Sequence, residues 1–197
     1  MKWRPLGVGV PGLFCYCSRL KTLISRDKEL AMNASDDFGM REGERAVELP
    51  ATPDAGVYFI GRIQTPWKNR KDCPKNARGS DAVCTVELDP RYQDGLKDVE
   101  TCSHLVLLYW MDKAPRHLVL QVPGHLGAPH GTFALRSPAR PNPIAMSVVK
   151  LLGVAGNKLS VIGLDCLDGT PLIDIKPYFA STDCVPDAVV GWHRRKS

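Results

Sequence analysis

From residue 57 onward, short apolar segments rich in β-branched and aromatic residues alternate with turns that contain glycine and proline. Segments of about four to eight residues bounded by such turns are typical of strands. The pattern predicts eight strands, at 57–60 continued to Ile63, 82–88, 104–111, 117–122, 132–135, 145–152, 158–164 and 171–175. A short helix is predicted at 95–101.

Two turns indicate how the later strands pair. Gly156 with Asn157, and Asp168 with Gly169, are dipeptides typical of hairpins. They predict a continuous antiparallel meander in the C-terminal half. We therefore predict an all-β fold, a single small antiparallel β-barrel with long loops and at most short helices, because closure removes the exposed strand edges. A sandwich of two sheets is the alternative.

The chain divides into three parts by composition. Residues 1–50 mix an apolar piece interrupted by glycine and proline with a polar stretch, which predicts a flexible N-terminal extension. Met32 or Met40 is an alternative translation start, which would place part of this extension upstream of the protein. Residues 55–183 form the predicted barrel domain, and 184–197 a short basic tail.

Composition excludes several classes of protein. The chain has 197 residues, 44% of them hydrophobic and 24% charged, as expected of a globular protein. Its best apolar run, at 104–111, is far shorter than the roughly 20 residues of a membrane-spanning helix. Seven cysteines without a C-x-x-C pair predict neither a disulfide framework nor a zinc site, and they favour the reducing cytoplasm. We expect no metal and no membrane partner.

Positive charge is concentrated at 60–78, which has six basic residues, one acidic residue and Trp67. This stretch is either a phosphate-binding patch or a solvated basic loop. The first interpretation makes Arg62, Trp67, Lys68, Arg70 and Lys71 candidates for contact with a nucleic acid.

Two further stretches carry polar groups in rigid or apolar surroundings. Three prolines between 136 and 143 stiffen a loop that presents Arg136, Arg140 and Asn142 to a ligand, or that merely connects two strands. Asp165 and Asp174 lie among apolar residues, so each either pairs with a basic side chain or lines a pocket. These residues alone do not name a reaction.

Four motifs together resemble the TsaA-like or TrmO family. They are the sequences GRIQTPWK at 61–68, CSHL at 102–105, RSPARPNPI at 136–144, and LDGTP at 167–171 with DIKPY at 174–178. The resemblance implies an S-adenosylmethionine-dependent methyltransferase built on one β-barrel that forms a homodimer. Its expected substrate is N6 of threonylcarbamoyl-adenosine at position 37 of tRNA, beside the anticodon.

The resemblance also implies site residues. The cofactor would be held by Lys75, Asn76, Ala77, Asp112, Lys113, Arg136, Met146, Ile162, Gly163, Leu164 and Asp165. For the tRNA we predict contacts with Arg62, Trp67, Lys68, Arg70, Lys71, Arg140, Asn142, Lys176 and Tyr178. Because N6 must lose its proton, we predict Asp165 or Asp174 as general base.

The match has two departures from the family pattern. Lys75 and Asn76 stand where the family often has arginine and glutamine, and longer relatives continue into an additional C-terminal domain. Two alternatives therefore stay open: a non-catalytic RNA-binding barrel, or a methyltransferase acting on another RNA or on a small molecule.

Overall fold

The computed structural model describes residues 40–124 and 127–193. Within these ranges the strands are β1 (Arg45–Ala46), β2 (Gly61–Gln64), β3 (Cys84–Leu88), β4 (His104–Trp110), β5 (Leu118–Gln121), β6 (His130–Gly131), β7 (Ile144–Ala155), β8 (Lys158–Ile162) and β9 (Thr170–Pro177). The helix α1 spans Ala180–Asp183, and single 3-10 turns or helices lie at Arg70–Asp72, Ala77–Gly79, Pro90–Leu96, Val99–Thr101, Thr132–Ala134 and Gly191–His193. Residues 1–39 of the predicted extension and 194–197 of the predicted tail lie outside the described residues.

Six strands form a closed antiparallel barrel in the order β2-β3-β8-β7-β4-β9, in which β9 returns to pair with β2. The predicted all-β fold and small barrel are therefore confirmed. The other three strands form a separate sheet in the order β1-β5-β6. Because β1 belongs to this sheet, residues 45–46 are part of the folded domain.

Strand alternation fills the barrel with apolar side chains. Leu105, Leu107 and Tyr109 of β4 are buried, whereas the residues between them are only half-buried. Directly opposite Leu105 and Leu107, Val149 and Ser147 of β7 are buried as well. The even-numbered residues of β4, and those of β7 as far as Leu152, therefore face outward. Beyond the irregularity between Leu151 and Gly153, Val154 packs against the core instead.

Each end of the barrel is closed by a segment outside the strands. We call the end where β2 and β8 finish the upper end, and residues 163–168 the crossing segment. At the upper end the crossing segment buries Leu164 and Cys166 completely, and burial raises the pKa of the Cys166 thiol to about 12. At the lower end the 3-10 helix Pro90–Leu96 covers the core with Leu96.

The structure corrects two predicted strands. Residues 57–60 are not a strand, and β2 begins at Gly61, where a Cβ would lie 2.3 Å from the Glu87 carbonyl oxygen. Only glycine allows this close approach. Of the apolar run before it, Ile60 still makes two backbone hydrogen bonds, donating to the Leu172 carbonyl and accepting from the Asp89 amide. The predicted strand at 132–135 instead curls into a 3-10 turn, in which the Leu135 amide donates to the Thr132 carbonyl.

The predicted meander is also wrong beyond its first hairpin. Gly156 does join β7 to β8, with φ at 60°. Asp168 and Gly169 do not form a hairpin, because β9 pairs with β2 and β4 rather than with β8. The chain crosses the barrel end between β8 and β9, since Leu164 and Cys166 are buried there. The predicted helix at 95–101 becomes two 3-10 pieces, of which the first begins earlier, at Pro90.

Three further observations concern the described ranges alone. No helix there is long and apolar enough to cross a bilayer. The thiols of Cys73, Cys84, Cys102, Cys166 and Cys184 are all free. No group of three or more histidine, cysteine, aspartate or glutamate side chains in these ranges could hold a metal ion.

Candidate functional site

A carboxylate, a phenol and a hydroxyl meet at the upper end of the barrel. The Tyr109 hydroxyl donates to Asp165 Oδ1 at 3.2 Å and lies 2.9 Å from Ser147 Oγ. Burial, followed by the charge of Asp165, raises the pKa of Tyr109 well above its usual range. Tyr109 is therefore a permanent donor, and its hydrogen bond holds Asp165 in one orientation.

Asp165 owes its position to the crossing segment. Leu164 and Cys166 point into the core, so the alternation of the extended chain leaves Asp165 half-buried between them. Its second oxygen, Oδ2, makes no hydrogen bond to any described residue. One oxygen is therefore fixed and the other is available to a ligand.

The crossing segment lies along one edge of β7. β8 pairs only with the second half of β7, from Lys150 to Ala155. Residues 144–149, which we call the β7 edge, have no strand on that side among the described residues. Gly163 instead packs there: its φ is +108°, and a Cβ would lie 3.2 Å from the Val148 carbonyl oxygen. A larger residue at Gly163 would push the segment away from the edge.

Arg136 reaches the same edge from the other direction. Its guanidinium donates from Nη2 to the Met146 carbonyl at 3.0 Å. The structure therefore brings together Ile162, Gly163, Leu164, Asp165, Met146 and Arg136, six of the residues predicted for the cofactor. The Leu164 side chain belongs to the core, so any contact it makes with a ligand is through its backbone.

A buried polar network holds in place the loop at residues 136–143, which we call the arginine–proline loop. Gln121 donates from Nε2 to Thr132 Oγ1 at 2.7 Å and to the Ala139 carbonyl at 2.5 Å. Arg140 donates to the carbonyls of Ser137, Thr132 and Leu135. This network fixes the loop that carries Arg136, and it gives Arg140, predicted to bind substrate, a structural role.

The loop after Pro74 starts near Asp165. Burial raises the pKa of the Cys73 thiol, and the nearby charges of Asp165 and Asp72 raise it further. Lys75, Asn76 and Ala77, which are predicted to hold the cofactor, follow Cys73 in this loop, and Lys75 and Asn76 are exposed. Asn76 also caps the 3-10 turn, because its Oδ1 accepts from the Arg78 amide at 3.0 Å.

The basic stretch is fastened to the crossing segment. Asp168 accepts from Lys68 Nζ at 2.5 Å and from the Thr65 amide at 2.9 Å. Arg62 donates to the Gly169 carbonyl at 2.8 Å, and Trp67 packs against the core. The hydrogen bond from Lys68 lowers the pKa of Asp168. We call these contacts the Lys68–Asp168 clamp.

The clamp predicts an acid-dependent loss of stability. Asp168→Ala should lower the free energy of unfolding by about 1 kcal/mol at pH 7, mostly through the backbone hydrogen bond, because an exposed ion pair adds little. Asp168→Asn keeps an oxygen for Thr65 and should lose less.

A carboxyl whose pKa is lowered by folding stabilises the protein above its ordinary value and stops doing so as the pH falls through the lowered value. The difference in melting temperature between wild type and Asp168→Asn should therefore shrink below about pH 4. Thermal unfolding at pH 7 and in acid measures it. A difference that is equal at both pH values would contradict the clamp.

Several predicted residues lie near the start of the β7 edge. Asp112 and Lys113 form an exposed turn after β4, whose last residue, Trp110, pairs with Ile144. Asn142 is exposed, and its carbonyl accepts from the Ile144 amide at 2.8 Å. These residues border the edge that Arg136 and Asp165 flank.

Other predicted residues are separate from this edge. Asp174 forms an ion pair with Lys176 at 2.6 Å, and it also lines a cavity of about 600 Å³ at the lower end of the barrel. Tyr178 follows β9 and lies edge-on to His104. Arg70 and Lys71 are exposed in the 3-10 turn Arg70–Asp72. The two candidate general bases, Asp165 and Asp174, are thus at different places in the barrel wall.

Tyr109 and Ser147 are site residues that the sequence analysis missed. Both are polar at inward positions of otherwise apolar strands, and this anomaly was a usable signal. That these two side chains meet Asp165 could not be predicted from this signal.

Comparison with known proteins places this geometry in a family. Residues 62–184 match the family described as tRNA-methyltransferase O N-terminal domain. A probable S-adenosyl-L-methionine-binding protein, VirR of Rhizobium radiobacter, is 49% identical over 70% of this chain and 79% of its own length. The tRNA (adenine(37)-N6)-methyltransferase of Escherichia coli K12 is 37% identical over 68% of this chain and 61% of its own length. The crystal structure of TrmO from Pseudomonas aeruginosa is similar with a TM-score of 0.59 and 35% identity, over 71% of this chain and 62% of that one.

The chain belongs to the TrmO family, because the family model covers more than half of it. It spans less than two thirds of the length of the Escherichia coli and Pseudomonas aeruginosa proteins. The matched region contains the whole barrel except the first residue of β2.

Proposed function

We propose that this protein is an S-adenosylmethionine-dependent methyltransferase that methylates N6 of adenosine in tRNA, with threonylcarbamoyl-adenosine 37 as its substrate. The observation that carries the proposal is the presence of opposite charges at one strand edge, where Asp165 and Arg136 flank the β7 edge. The family match and the Escherichia coli relative's name support the reaction and the class of substrate.

The residues at the β7 edge fit the chemistry of the cofactor. S-adenosylmethionine, when bound, supplies a methyl group on a positively charged sulfur. Its carboxylate suits Arg136 or Lys75, its amine and ribose hydroxyls suit Asp112 or Asp165, and its adenine ring suits the exposed thioether of Met146. Backbone amides and carbonyls of the β7 edge add further donors and acceptors.

Asp165 is the side chain best placed to take up a proton. An N6 nitrogen that gains a methyl group must lose its hydrogen, and a carboxylate at hydrogen-bond distance can accept it. Tyr109 holds Oδ1, and Oδ2 remains available. Asp174 is less suitable, because its carboxylate already pairs with Lys176.

Positive charge and an aromatic ring on the same end of the barrel suit an RNA substrate. Trp67 and Lys68 lie beside the crossing segment, and Arg70 and Lys71 extend the basic stretch outward. Phosphates are attracted to such a stretch, and a base can stack on a partly exposed indole.

Calorimetry on the full chain with S-adenosylmethionine and with S-adenosylhomocysteine tests the cofactor. We expect heat of binding with both ligands. A folded protein that binds neither, yet binds tRNA, would be the non-catalytic RNA-binding barrel. A protein that binds both ligands but methylates no tRNA would be a methyltransferase for another RNA or a small molecule.

The homodimer is part of the proposal, and the outer face of β4 and β7 supports it. Ile144, Met146, Val148 and Leu152 of β7 are each more than two-fifths exposed. Val106 and Leu108 of β4 pair with Val148 and Met146 on this same outward face. A contiguous apolar face of this kind is typical of an interface between protein subunits.

Val148→Asp should convert the dimer to a monomer, because the new carboxylate would be buried without a partner in the interface. Light scattering should give twice 21.7 kDa for wild type and 21.7 kDa for the variant. Ser160→Asp is the control, since Ser160 is exposed on β8. A wild-type mass of 21.7 kDa would rule the dimer out.

We also propose a cytoplasmic location and the three-part organisation of extension, barrel domain and basic tail. The free thiols of the described cysteines are consistent with a reducing compartment.

A further inference from the structure

The chain has a long run without negative charge. No acidic residue occurs between Asp112 and Asp165, whereas six basic residues do: Lys113, Arg116, Arg136, Arg140, Lys150 and Lys158. This run builds the β5–β6 part of the small sheet, the arginine–proline loop, β7 and β8. Lys158 pairs with Glu87 of β3, and the other five basic residues attract a polyanion.

An aromatic side chain projects from this basic region. Phe133 is 85% exposed, in the 3-10 turn Thr132–Ala134. The residue before it, Thr132, is completely buried, and its hydroxyl donates to the Leu118 carbonyl at 3.0 Å. Thr132 and the buried network hold the turn in place. The turn that carries Phe133 therefore loses little conformational entropy when a ligand binds.

A pair of aromatic rings lies beside this turn. The His130 ring on β6 and the Trp192 ring are 4.5 Å apart between centroids. Trp192 comes from the C-terminal segment and remains 39% exposed. It belongs to a 3-10 turn that also contains His193.

These rings lie close in the chain to the proposed methyl-transfer site. Two residues separate Phe133 from Arg136, whose guanidinium binds the β7 edge at Met146. A strand of nucleotides whose target base enters at the β7 edge would therefore place neighbouring bases near Phe133. Exposed bases stack on aromatic side chains in single-stranded RNA recognition.

We propose that Phe133, with the His130–Trp192 pair before it, is a stacking surface for unpaired nucleotides of the RNA substrate. This inference rests on the proposed function, and it names the part of the protein that grips the RNA loop around the target base. The basic run supplies the attraction for the phosphates, and the rings select unpaired nucleotides over a duplex.

The test compares Phe133→Ala with Tyr58→Ala, a control in which an equally exposed aromatic ring, at 85%, is removed from the chain before β2. The probes are an anticodon stem–loop RNA and a fully paired RNA duplex of the same length. Phe133→Ala should weaken binding of the stem–loop by about 5- to 150-fold, with no change in the dependence on salt concentration. Binding of the duplex and of S-adenosylmethionine should be unchanged, as should everything measured for Tyr58→Ala.

Three outcomes would overturn the inference. They are an unchanged stem–loop affinity for Phe133→Ala, an equal loss for stem–loop and duplex, and a wild-type protein that does not bind the stem–loop. A loss of dimer mass in the variant with intact RNA affinity would assign Phe133 to a protein interface instead. Failure of the proposed function appears separately, as a wild-type protein that transfers no methyl group to tRNA.

Discussion

Asp165→Asn should lower the rate of methyl transfer to tRNA by about 10²- to 10⁴-fold, the usual contribution of a general base. The substitution keeps an oxygen that can accept from Tyr109, so the fold and the orientation of the side chain should persist. The amide cannot accept the proton that N6 must lose. Single-turnover rates at saturating tRNA and cofactor measure this step apart from binding.

Asp174→Asn is the matched control for this prediction. Its carboxylate pairs with Lys176 on β9 and is separate from the β7 edge, so the rate should change by less than about threefold. If Asp174→Asn loses the activity and Asp165→Asn retains it, the assignment of the base is reversed. If both variants keep the wild-type rate, neither carboxylate is the base.

Arg136→Ala should weaken the binding of S-adenosylmethionine by about 10- to 150-fold. A hydrogen bond between charged groups is worth about 1.5 to 3 kcal/mol, and the guanidinium is exposed at the β7 edge rather than in the core. Arg136→Lys should have an intermediate affinity, because it keeps the charge and loses the planar fork. The melting temperature should barely change.

Arg91→Ala is the control for a lost guanidinium. Arg91 pairs with Asp89 at the lower end of the barrel. Calorimetry with S-adenosylmethionine on the three variants gives the comparison. Equal affinity in wild type and Arg136→Ala would place the carboxylate of the cofactor elsewhere.

The strands of the barrel could be predicted because their signal is local. In β4, Leu105, Leu107 and Tyr109 alternate with outward residues, and the period of two is visible in the sequence. The Gly156 turn fixed one pairing in the same way. The run at 57–60 has the same local signal but is not a strand, although Ile60 donates to the Leu172 carbonyl and accepts from the Asp89 amide. Both partners are distant from Ile60 in the chain.

The candidate site depends almost entirely on such distant contacts. Tyr109 is separated by 38 residues from Ser147 and by 56 from Asp165. Their meeting requires β7 to continue past β8 and the crossing segment to lie along the exposed edge. No local pattern encodes either feature. Arg136 and Asp165 are candidates from the sequence pattern itself, and the other predicted residues at this edge follow from the family resemblance. Tyr109 and Ser147 are known only from the structure.

Site residues that are close in sequence do not all lie at one place in the fold. Asp174, Lys176 and Tyr178 follow Asp165 closely in the chain, and the sequence analysis predicts the first as a candidate base and the other two as substrate contacts. The strand β9 carries them along the full height of the barrel, away from the crossing segment. A strand of eight residues advances about 3.3 Å per residue, so its two ends serve different surfaces.

Transfer of a labelled methyl group from S-adenosylmethionine to tRNA tests the central claim most directly. The substrates are tRNA that carries threonylcarbamoyl-adenosine at position 37 without an N6-methyl group, and the same tRNA with unmodified adenosine there. We predict that the full chain labels the first tRNA, that the label is recovered as the N6-methylated nucleoside after digestion, and that Asp165→Asn abolishes most of it. A folded protein that binds the cofactor and labels neither tRNA would contradict the account.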